Sequence, residues 1–134
     1  MFAPLIIARA DGAPPPPEIA LTINGAAVRA EIAATPAARR LGLSHRAALP
    51  PARGMLLAFP RARRFCLWMR DVSFPLDAAF IDGAGNIVGI ARMQPHTEEL
   101  HCAPSPAKYA LEAANIRAKP GDKVFGLPAA EIAE

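Results

Sequence analysis

The sequence predicts a mainly β fold, an antiparallel barrel or sandwich with one short helix. Short apolar runs recur along the 134 residues and alternate with turn-forming residues, a spacing typical of small β domains. One segment carries signals for both the start and the end of a helix. The length suits a single domain with one core, which we place at residues 19–128. Residues 1–18 are predicted to be a disordered proline-rich segment and residues 129–134 a tail.

A hairpin is predicted at the start of the domain. Apolar residues alternate with small or polar ones at 19–23, which is the period of a strand. Asn24-Gly25 follows, and both residues tolerate the positive φ that a tight hairpin turn requires. Residues 28–32 alternate again, so we expect them to form the returning strand with one solvated face.

The predicted helix covers residues 36–41. Thr35 can cap the free amides at its start, and Pro36 stands at the first helical position, where a missing amide donor costs nothing. Gly42 can take the left-handed position that ends a helix. A loop is expected from residue 44 to residue 53.

The remaining strands are predicted from short apolar runs bounded by turn residues. They lie at residues 55–59, 65–69, 78–81, 87–93, 109–113 and 123–127. Residues 82–86 are expected to turn two of these strands into a hairpin. Residues 94–107 are polar, contain three prolines and predict a long loop.

Charge is unevenly distributed along a chain whose net charge is +3. Between residues 29 and 70 there are nine arginines and one acid, Glu31. Such a cluster can form a nucleic-acid or anion surface, but the aromatic residues are not interleaved as base stacking would require. We favour a solvated basic face and predict that nucleic acid is not a partner.

Membrane and export signals leave the compartment open. No apolar run approaches the roughly 18 residues of a membrane helix, so no integral membrane segment is predicted. Residues 1–10 are apolar and end in Ala8-Arg9-Ala10, which is similar to an export-signal cleavage site. An incomplete export signal would indicate a periplasmic or secreted protein. A simple apolar tail would leave a cytoplasmic protein as the alternative.

The two cysteines, Cys66 and Cys102, allow several interpretations. A metal site could recruit His96 and His101 beside Cys102, but their spacing is not that of a zinc motif. A nucleophilic cysteine would need a base, which spacing alone does not identify. A structural disulfide and a pair of buried free thiols stay equally open on the residues alone. We predict no metal site and no cofactor.

Charged residues crowd an otherwise apolar stretch around Trp68. In a strand, Trp68 and Arg70 would lie on the same face. A tryptophan beside a cation and an acceptor can form a recognition site, whereas the alternative is a core tryptophan with surface charges. An ion pair from Arg46 to Asp77 or Glu98 could fix the surrounding loops. The candidate ligand-binding residues are Arg46, Trp68, Arg70, Asp71, Asp77 and Glu98.

Several motifs stand together in this chain. Trp68-Met69-Arg70 is followed by Pro75-Leu76-Asp77. The other segments that belong to the same pattern are Gly42-Leu43, Arg46, Gly54-Met55-Leu56, Phe59, Phe80-Ile81-Asp82, Gly85, Ile87-Val88, Tyr109 and Leu111-Glu112. This pattern, from about residue 28 to 124, resembles the bacterial and archaeal family called domain of unknown function 192. The resemblance implies a compact, mainly β domain, often secreted or lipid-anchored, with no established activity.

One proteobacterial subgroup is more similar. Its members carry a cysteine two residues before Trp-Met and a Met-Gln-Pro…His-Cys segment, and Cys66 and residues 93–102 match both features. This resemblance implies an exported protein in which Cys66 and Cys102 form a disulfide. The sequence departs from the family at Asp71-Val72, where Asn-Thr is usual, and in a shorter loop after Glu112.

Three functions are compatible with these residues. The first is a monomeric binding module of the cell envelope for an unidentified small molecule or envelope protein. In it Trp68 forms an apolar wall, the arginines contact an anion and Asp77 orients Arg46. The second is a hydrolase that uses a carboxylate such as Asp71 or Asp77, although phosphate-loop, serine-elbow and His-Glu-x-x-His signatures are absent. The third is a purely structural accessory domain, which predicts no concave pocket beside Trp68.

Overall fold

The computed structural model describes residues 16–128. Its strands are β1 Glu18–Ile23, β2 Ala26–Ala33, β3 Arg53–Arg63, β4 Cys66–Leu67, β5 Leu76–Ile81, β6 Ile87–Met93, β7 His101–Cys102, β8 Ala107–Ala113 and β9 Val124–Phe125, and its helix α1 is Pro36–Leu41. In this range no helix has the length and the apolar character to cross a membrane. The predicted cleavage-site pattern at residues 8–10, most of the proline-rich segment and the tail at 129–134 lie outside the described residues.

The arrangement of these elements confirms the mainly β class with one short helix. Seven of the described strands form one sheet in the order β6-β5-β8-β3-β2-β1-β9, and β4 pairs with β7 in a separate ribbon. The pairs of the large sheet are antiparallel except β2–β3, which is parallel. This exception to the predicted antiparallel sheet arises because the chain crosses over through α1 after β2 and re-enters the sheet in the same direction.

The large sheet curls into a half-barrel whose edge strands meet at one end. The amide of Val124 in β9 donates to the carbonyl of Gly85 at 2.8 Å, and the amide of Ile87 in β6 donates to the carbonyl of Asp122 at 2.8 Å. A bridge between Asn86 and Lys123 joins the same two edges. The unpaired backbone groups of both edges are thereby satisfied where they meet.

The local signals at the first turn and around α1 largely act as predicted. Asn24 and Gly25 have φ of 50° and 80° and turn β1 into β2. The Thr35 hydroxyl accepts a hydrogen bond from the amide of Ala38 at 3.1 Å at the start of α1. Gly42 ends the helix with φ 52° and ψ −132°, which is not the predicted left-handed conformation but another one that a residue with a side chain rarely adopts.

The segment around the two cysteines differs from the prediction. The strand expected at 65–69 is only two residues long, and the loop expected at 94–107 contains β7. The strand is short because β4 pairs with β7 and with no other strand in the described part of the chain. Beyond this ribbon the amide of Met69 donates to the carbonyl of Thr97, at 3.1 Å, which is a loop contact rather than a strand pair.

Alternate residues of the sheet face two separate hydrophobic cores. The inner core draws buried residues from all seven strands, which places it inside the half-barrel; its members are Leu21, Ile23, Ala30, Leu56, Ala58, Ala79, Ile81, Ile87, Tyr109, Leu111 and Val124. The outer core lies on the other face; its larger members are Leu43, Met55, Leu57, Phe59, Phe65, Leu67, Met69, Leu76, Phe80 and Met93. The outer core is covered by α1, its following loop and the segment that carries β4 and β7 rather than by the sheet itself.

Candidate functional site

A cleft of about 590 Å³ opens on the outer core, between α1 and the strands β3 and β4. Its walls carry Trp68, which is 43% exposed, together with Leu57, Phe59 and Phe65. The rings of Phe59 and Phe65 stack with their centroids 4.2 Å apart. The structural-domain hypothesis predicted no concave pocket beside Trp68, and that prediction is wrong because the cleft lies there.

A disulfide holds the wall that carries Trp68. Cys66 lines the cleft and is bonded to Cys102, which lies opposite it in β7. The pairing implied by the family resemblance is confirmed. The thiolate-ligand and nucleophile interpretations do not apply to these residues, because a disulfide sulfur carries neither a thiolate nor a free thiol. Elsewhere in residues 16–128 no group of His, Cys, Asp and Glu side chains could hold a metal ion.

Three arginines, Arg39, Arg40 and Arg63, line the cleft without a carboxylate partner in the described part of the chain. The guanidinium carbons of Arg39 and Arg63 lie 4.7 and 5.5 Å from the centroid of the Phe59 ring. Nη1 of Arg39 donates to two backbone carbonyls, at 2.8 and 2.9 Å. Burial, and then the like charge of Arg63, lower the pKa of Arg39. The two guanidinium groups that share the Phe59 ring therefore favour an anion beside it.

Glu112 of β8 also lines the cleft, beside Gly42 at the end of α1. It pairs with Met55 of β3 and Ala78 of β5, and its Oε1 lies 3.9 Å from the position that a Cβ on Gly42 would take. Glu112 is buried, and no hydrogen bond or ion pair joins its carboxyl to another residue among 16–128. Burial raises the pKa of this carboxyl to about 7. A buried carboxyl that titrates near neutral pH in a cleft is suited to accept a proton, a cation or a hydrogen bond from a ligand.

The structure separates most of the predicted site residues. Arg46 pairs with Glu31 of β2 at 2.7 Å, and neither Asp77 nor Glu98 is its partner. Asp77 is buried and accepts from Arg92 Nη1 at 2.8 Å and from a backbone amide in the loop after β8. The predicted ion pair and the role of Asp77 in orienting Arg46 are therefore wrong. The reason is that the crossover after α1 brings Arg46 beside β2, whereas Asp77 lies in β5 with partners of its own.

Three of the predicted residues do form a cluster beside the cleft. The Arg70 guanidinium lies 4.4 Å from the centroid of the Trp68 ring, and Glu98 Oε1 accepts from Arg70 Nε at 2.8 Å and lies 2.7 Å from Arg70 Nη2. Asp71 stands at a turn with φ 60°, and its carboxylate is 3.9 Å from Nε2 of His45. Of the six predicted residues, Trp68 alone lines the cleft.

Sequence reasoning missed the charged residues that line the cleft. Glu112 carried a signal, because it is an acid in the middle of an apolar strand, but it was considered only as part of the family pattern. Arg39 and Arg63 were interpreted as part of a solvated face. Their shared partner, Phe59, lies on a different element from Arg39, so the sequence alone gave no reason to group them.

Comparison with known proteins identifies the family. The family model DUF192, described as "Uncharacterized ACR", matches residues 19–125, which is most of the chain. This match confirms the resemblance seen in the motifs. No curated protein matches the chain.

Two solved structures are similar to this one. A protein described as a "putative transcription regulator" from Sinorhizobium meliloti is 28% identical, with a TM-score of 0.81; the similarity covers 86% of this chain and 98% of that one. A protein of unknown function from Novosphingobium aromaticivorans is 28% identical, with a TM-score of 0.77, over 91% of this chain and 93% of its own. These similarities support the half-barrel fold over most of the chain.

Proposed function

We propose that this chain, which belongs to the family called domain of unknown function 192, is a ligand-binding module whose site is the cleft beside Trp68. One observation carries the proposal. Ionisable side chains that have no counter-charge among residues 16–128, namely Glu112 and the arginines of the cleft, converge on an aromatic concavity. A ligand would supply the missing partners.

The energetics favour a role in binding over a role in stability. Burying a carboxyl without a partner costs free energy, because the charged form loses its hydration and gains no compensating contact. An apolar residue would fill the position of Glu112 without that cost. Perturbed ionisable groups in a cleft are typical of functional sites, and a volume of about 590 Å³ lies in the range of small-molecule sites.

The compartment that we propose is the cell envelope. A disulfide such as Cys66–Cys102 persists in oxidising compartments and is rare in the cytosol. This supports an exported protein, with the cytoplasmic alternative disfavoured. The ligand would accordingly be a small molecule that is present in the periplasm or outside the cell.

A hydrolase built on Asp71 or Asp77 is the weaker alternative. General acid–base hydrolysis needs two titratable groups within reach of one substrate. Asp77 is bonded to Arg92, Asp71 lies beside His45, and neither carboxylate lines the cleft. Glu112 is the acid that lines the cleft, and one carboxyl without a second titratable base or nucleophile favours binding.

Nucleic acid is likewise the weaker partner. The description of the Sinorhizobium meliloti protein names transcription, for which a helix in the major groove is the usual means of recognition. Here α1 has six residues and one of its faces closes the cleft. We therefore keep the prediction that the ligand is not a nucleic acid.

Trp68 provides the test, because it is the single tryptophan of the chain and it lines the cleft. Anilinonaphthalene sulfonate, an aromatic anion, is expected to quench the emission of Trp68 on titration. The variant Arg63→Gln should bind this probe about five- to tenfold more weakly, as expected for the loss of about 1–1.4 kcal/mol of charge-assisted binding.

The matched control is Arg29→Gln, which removes the same charge from β2, outside the cleft. It should bind the probe as the unchanged protein does. Equal weakening by both variants would indicate general attraction to a basic protein, and no quenching of Trp68 at all would count against a ligand site in the cleft.

A further inference from the structure

We propose that the ligand is an extended zwitterion of the short-peptide type, with its ammonium at Glu112 and its anionic group at Arg39 and Arg63. This inference rests on the proposed function, because it names the ligand class of the same cleft. It follows from the separation of the two charged ends and from the apolar surface between them.

Sheet register gives the approximate separation along β3 between the position of Glu112 and the ring at which the arginines meet. Glu112 lies opposite Met55 of β3, and the arginines meet on Phe59, four positions further along the same strand and on the same face. At about 3.3 Å per residue, four residues of strand span about 13 Å. A compact ligand such as a single amino acid cannot reach both ends, whereas an extended chain of about four residues can.

The carboxyl of Glu112 has no positive partner among residues 16–128. The charged groups that line the cleft are Arg39 and Arg40 from α1 and Arg63 from β3. The neighbours that β5 and β3 place opposite Glu112 are uncharged, Ala78 and Met55, and the loop around residue 72 contributes an apolar valine. Burial raises the pKa of Glu112.

The arginine end lacks a negative group. Arg39 already gives Nη1 to two carbonyls and shares the Phe59 ring with Arg63, so the two like charges are held near each other. A carboxylate accepts hydrogen bonds from guanidinium groups in a planar, often bidentate geometry. An anionic end group would thus relieve the repulsion and satisfy donors that have no carboxylate within the described residues.

The surface between the ends is apolar. Leu57 stands between Met55 and Phe59 on the same face of β3, and Phe65 and Trp68 form the wall beside it. A ligand with charged ends and a neutral, extended middle matches this order. A uniformly anionic molecule would place negative charge near Glu112.

The test uses tetra-alanine with free ends, which spans about 13 Å when extended. Its binding is measured by the emission of Trp68 and by calorimetry on the whole protein. We expect binding that weakens at least tenfold when the peptide is acetylated at its amino end or amidated at its carboxyl end. Di-alanine, which spans about 7 Å, should bind at least tenfold more weakly than tetra-alanine because it cannot reach both ends.

The pH dependence of peptide binding distinguishes a specific contact with Glu112 from general electrostatic attraction to the protein. An ammonium binds the ionised carboxylate, so affinity for tetra-alanine should increase between about pH 5.5 and 7.5, where the α-amino group of the peptide, with a pKa of about 7.7–8.0, still carries its charge. The variant Glu112→Gln should lose both this increase and the penalty for acetylation, while Arg29→Gln should retain both.

Each outcome decides the inference. Equal affinity for free and end-blocked tetra-alanine, or for di- and tetra-alanine, overturns it, as does an unchanged pH dependence in Glu112→Gln. If anilinonaphthalene sulfonate binds in the cleft and tetra-alanine does not, the zwitterion is wrong and the proposed function stands. If neither quenches Trp68, both proposals fail.

Discussion

Two buried carboxylates on neighbouring strands have opposite surroundings. Asp77 of β5 pairs with Ala113 of β8, and the next pair along is Ala78 with Glu112. Asp77 accepts hydrogen bonds from Arg92 and from the amide of Ile116. The carboxyl of Glu112 has no hydrogen-bond or ion-pair partner anywhere in residues 16–128. The two acids are almost adjacent in the sheet, so their surroundings and not their depth distinguish them.

The difference separates a structural role on one face of the sheet from the binding role that we propose for the other. The satisfied carboxylate fixes the loop after β8, so Asp77 acts as part of the scaffold. The carboxyl without a partner lines the cleft instead. The inner core is sealed by the half-barrel, whereas the outer core is sealed by separate segments that leave the cleft between them.

The largest predicted effect concerns the disulfide between Cys66 and Cys102, in the segment that covers the outer core. The double variant Cys66→Ser, Cys102→Ser should lower the free energy of unfolding by about 3–4 kcal/mol, because the chain-entropy model assigns that value to a bridge between residues 36 positions apart. Urea denaturation measures the loss. Hydrogen exchange should show that the amide of Ala103, which bonds to the carbonyl of Phe65, loses more protection than amides of the inner sheet.

Wild-type protein treated with a reductant is the matched comparison for this double variant. Both should show the same loss, since each lacks the same bond. Two results would contradict this prediction: a loss of less than about 1 kcal/mol in the free energy of unfolding, or an equal loss of hydrogen-exchange protection at Ala103 and at amides of the inner sheet. Either would mean that the segments covering the outer core stay in place without the disulfide.

The sequence predicted the scaffold well because its signals are local. Asn24-Gly25 needs two adjacent residues of positive φ, and Thr35-Pro36 needs a capping hydroxyl before a first helical position. Each is decided by neighbours along the chain. The parallel pairing of β2 with β3 was not predicted, because it depends on where the chain returns after α1.

The site was predicted less well because its parts come from distant positions. Trp68 was identified from charged neighbours in the sequence, and it does line the cleft. An ion pair between Arg46 and Asp77 was predicted from their opposite charges alone. In the structure Arg46 pairs with Glu31 and Asp77 pairs with Arg92. Glu112 and Arg63 were not predicted as site residues. They line the same cleft because of the sheet register and the position of α1, which local sequence signals do not determine.

The second prediction concerns the pH dependence that Glu112 imposes on stability. Its pKa in the folded chain is about 7, raised by burial from an ordinary value of 4.5. Below about pH 4.5 the carboxyl is protonated in both the folded and the unfolded chain. Between pH 4.5 and 7 the carboxyl is ionised in the unfolded chain but still protonated in the folded chain. The contribution of Glu112 to the free energy of unfolding therefore falls by about 3 kcal/mol as the pH rises, and it is constant above pH 7.

The variant Glu112→Gln measures this contribution. The difference in free energy of unfolding between this variant and the unchanged protein should grow in favour of the variant by about 3 kcal/mol from pH 4.5 to 7. Glu99→Gln, which removes one carboxyl from an exposed loop, is the matched control. A flat difference for Glu112→Gln would mean that water or another group already satisfies the carboxylate, and the contrast with Asp77 would disappear.

The smallest predicted effect tests the other carboxylate. Asp77→Asn keeps the shape of the side chain but replaces one acceptor oxygen with an amide that donates, so it opposes either Arg92 or the Ile116 amide. We expect a loss of about 1–3 kcal/mol in the free energy of unfolding, with faster hydrogen exchange at Ile116. Ligand affinity in the cleft should stay unchanged, because Asp77 does not line it.

Asp71→Asn is the matched control for this substitution. Asp71 is half-exposed, its contact with His45 is 3.9 Å long, and its φ of 60° is one that asparagine also tolerates. Its stability should change by no more than about 0.5 kcal/mol. Equal losses from Asp77→Asn and Asp71→Asn would show that the two hydrogen bonds of Asp77 do not stabilise the scaffold. In that case, the presence or absence of hydrogen-bond partners would not distinguish a structural carboxylate from a functional one in this fold. The role of Glu112 would then rest on the ligand-binding measurements alone.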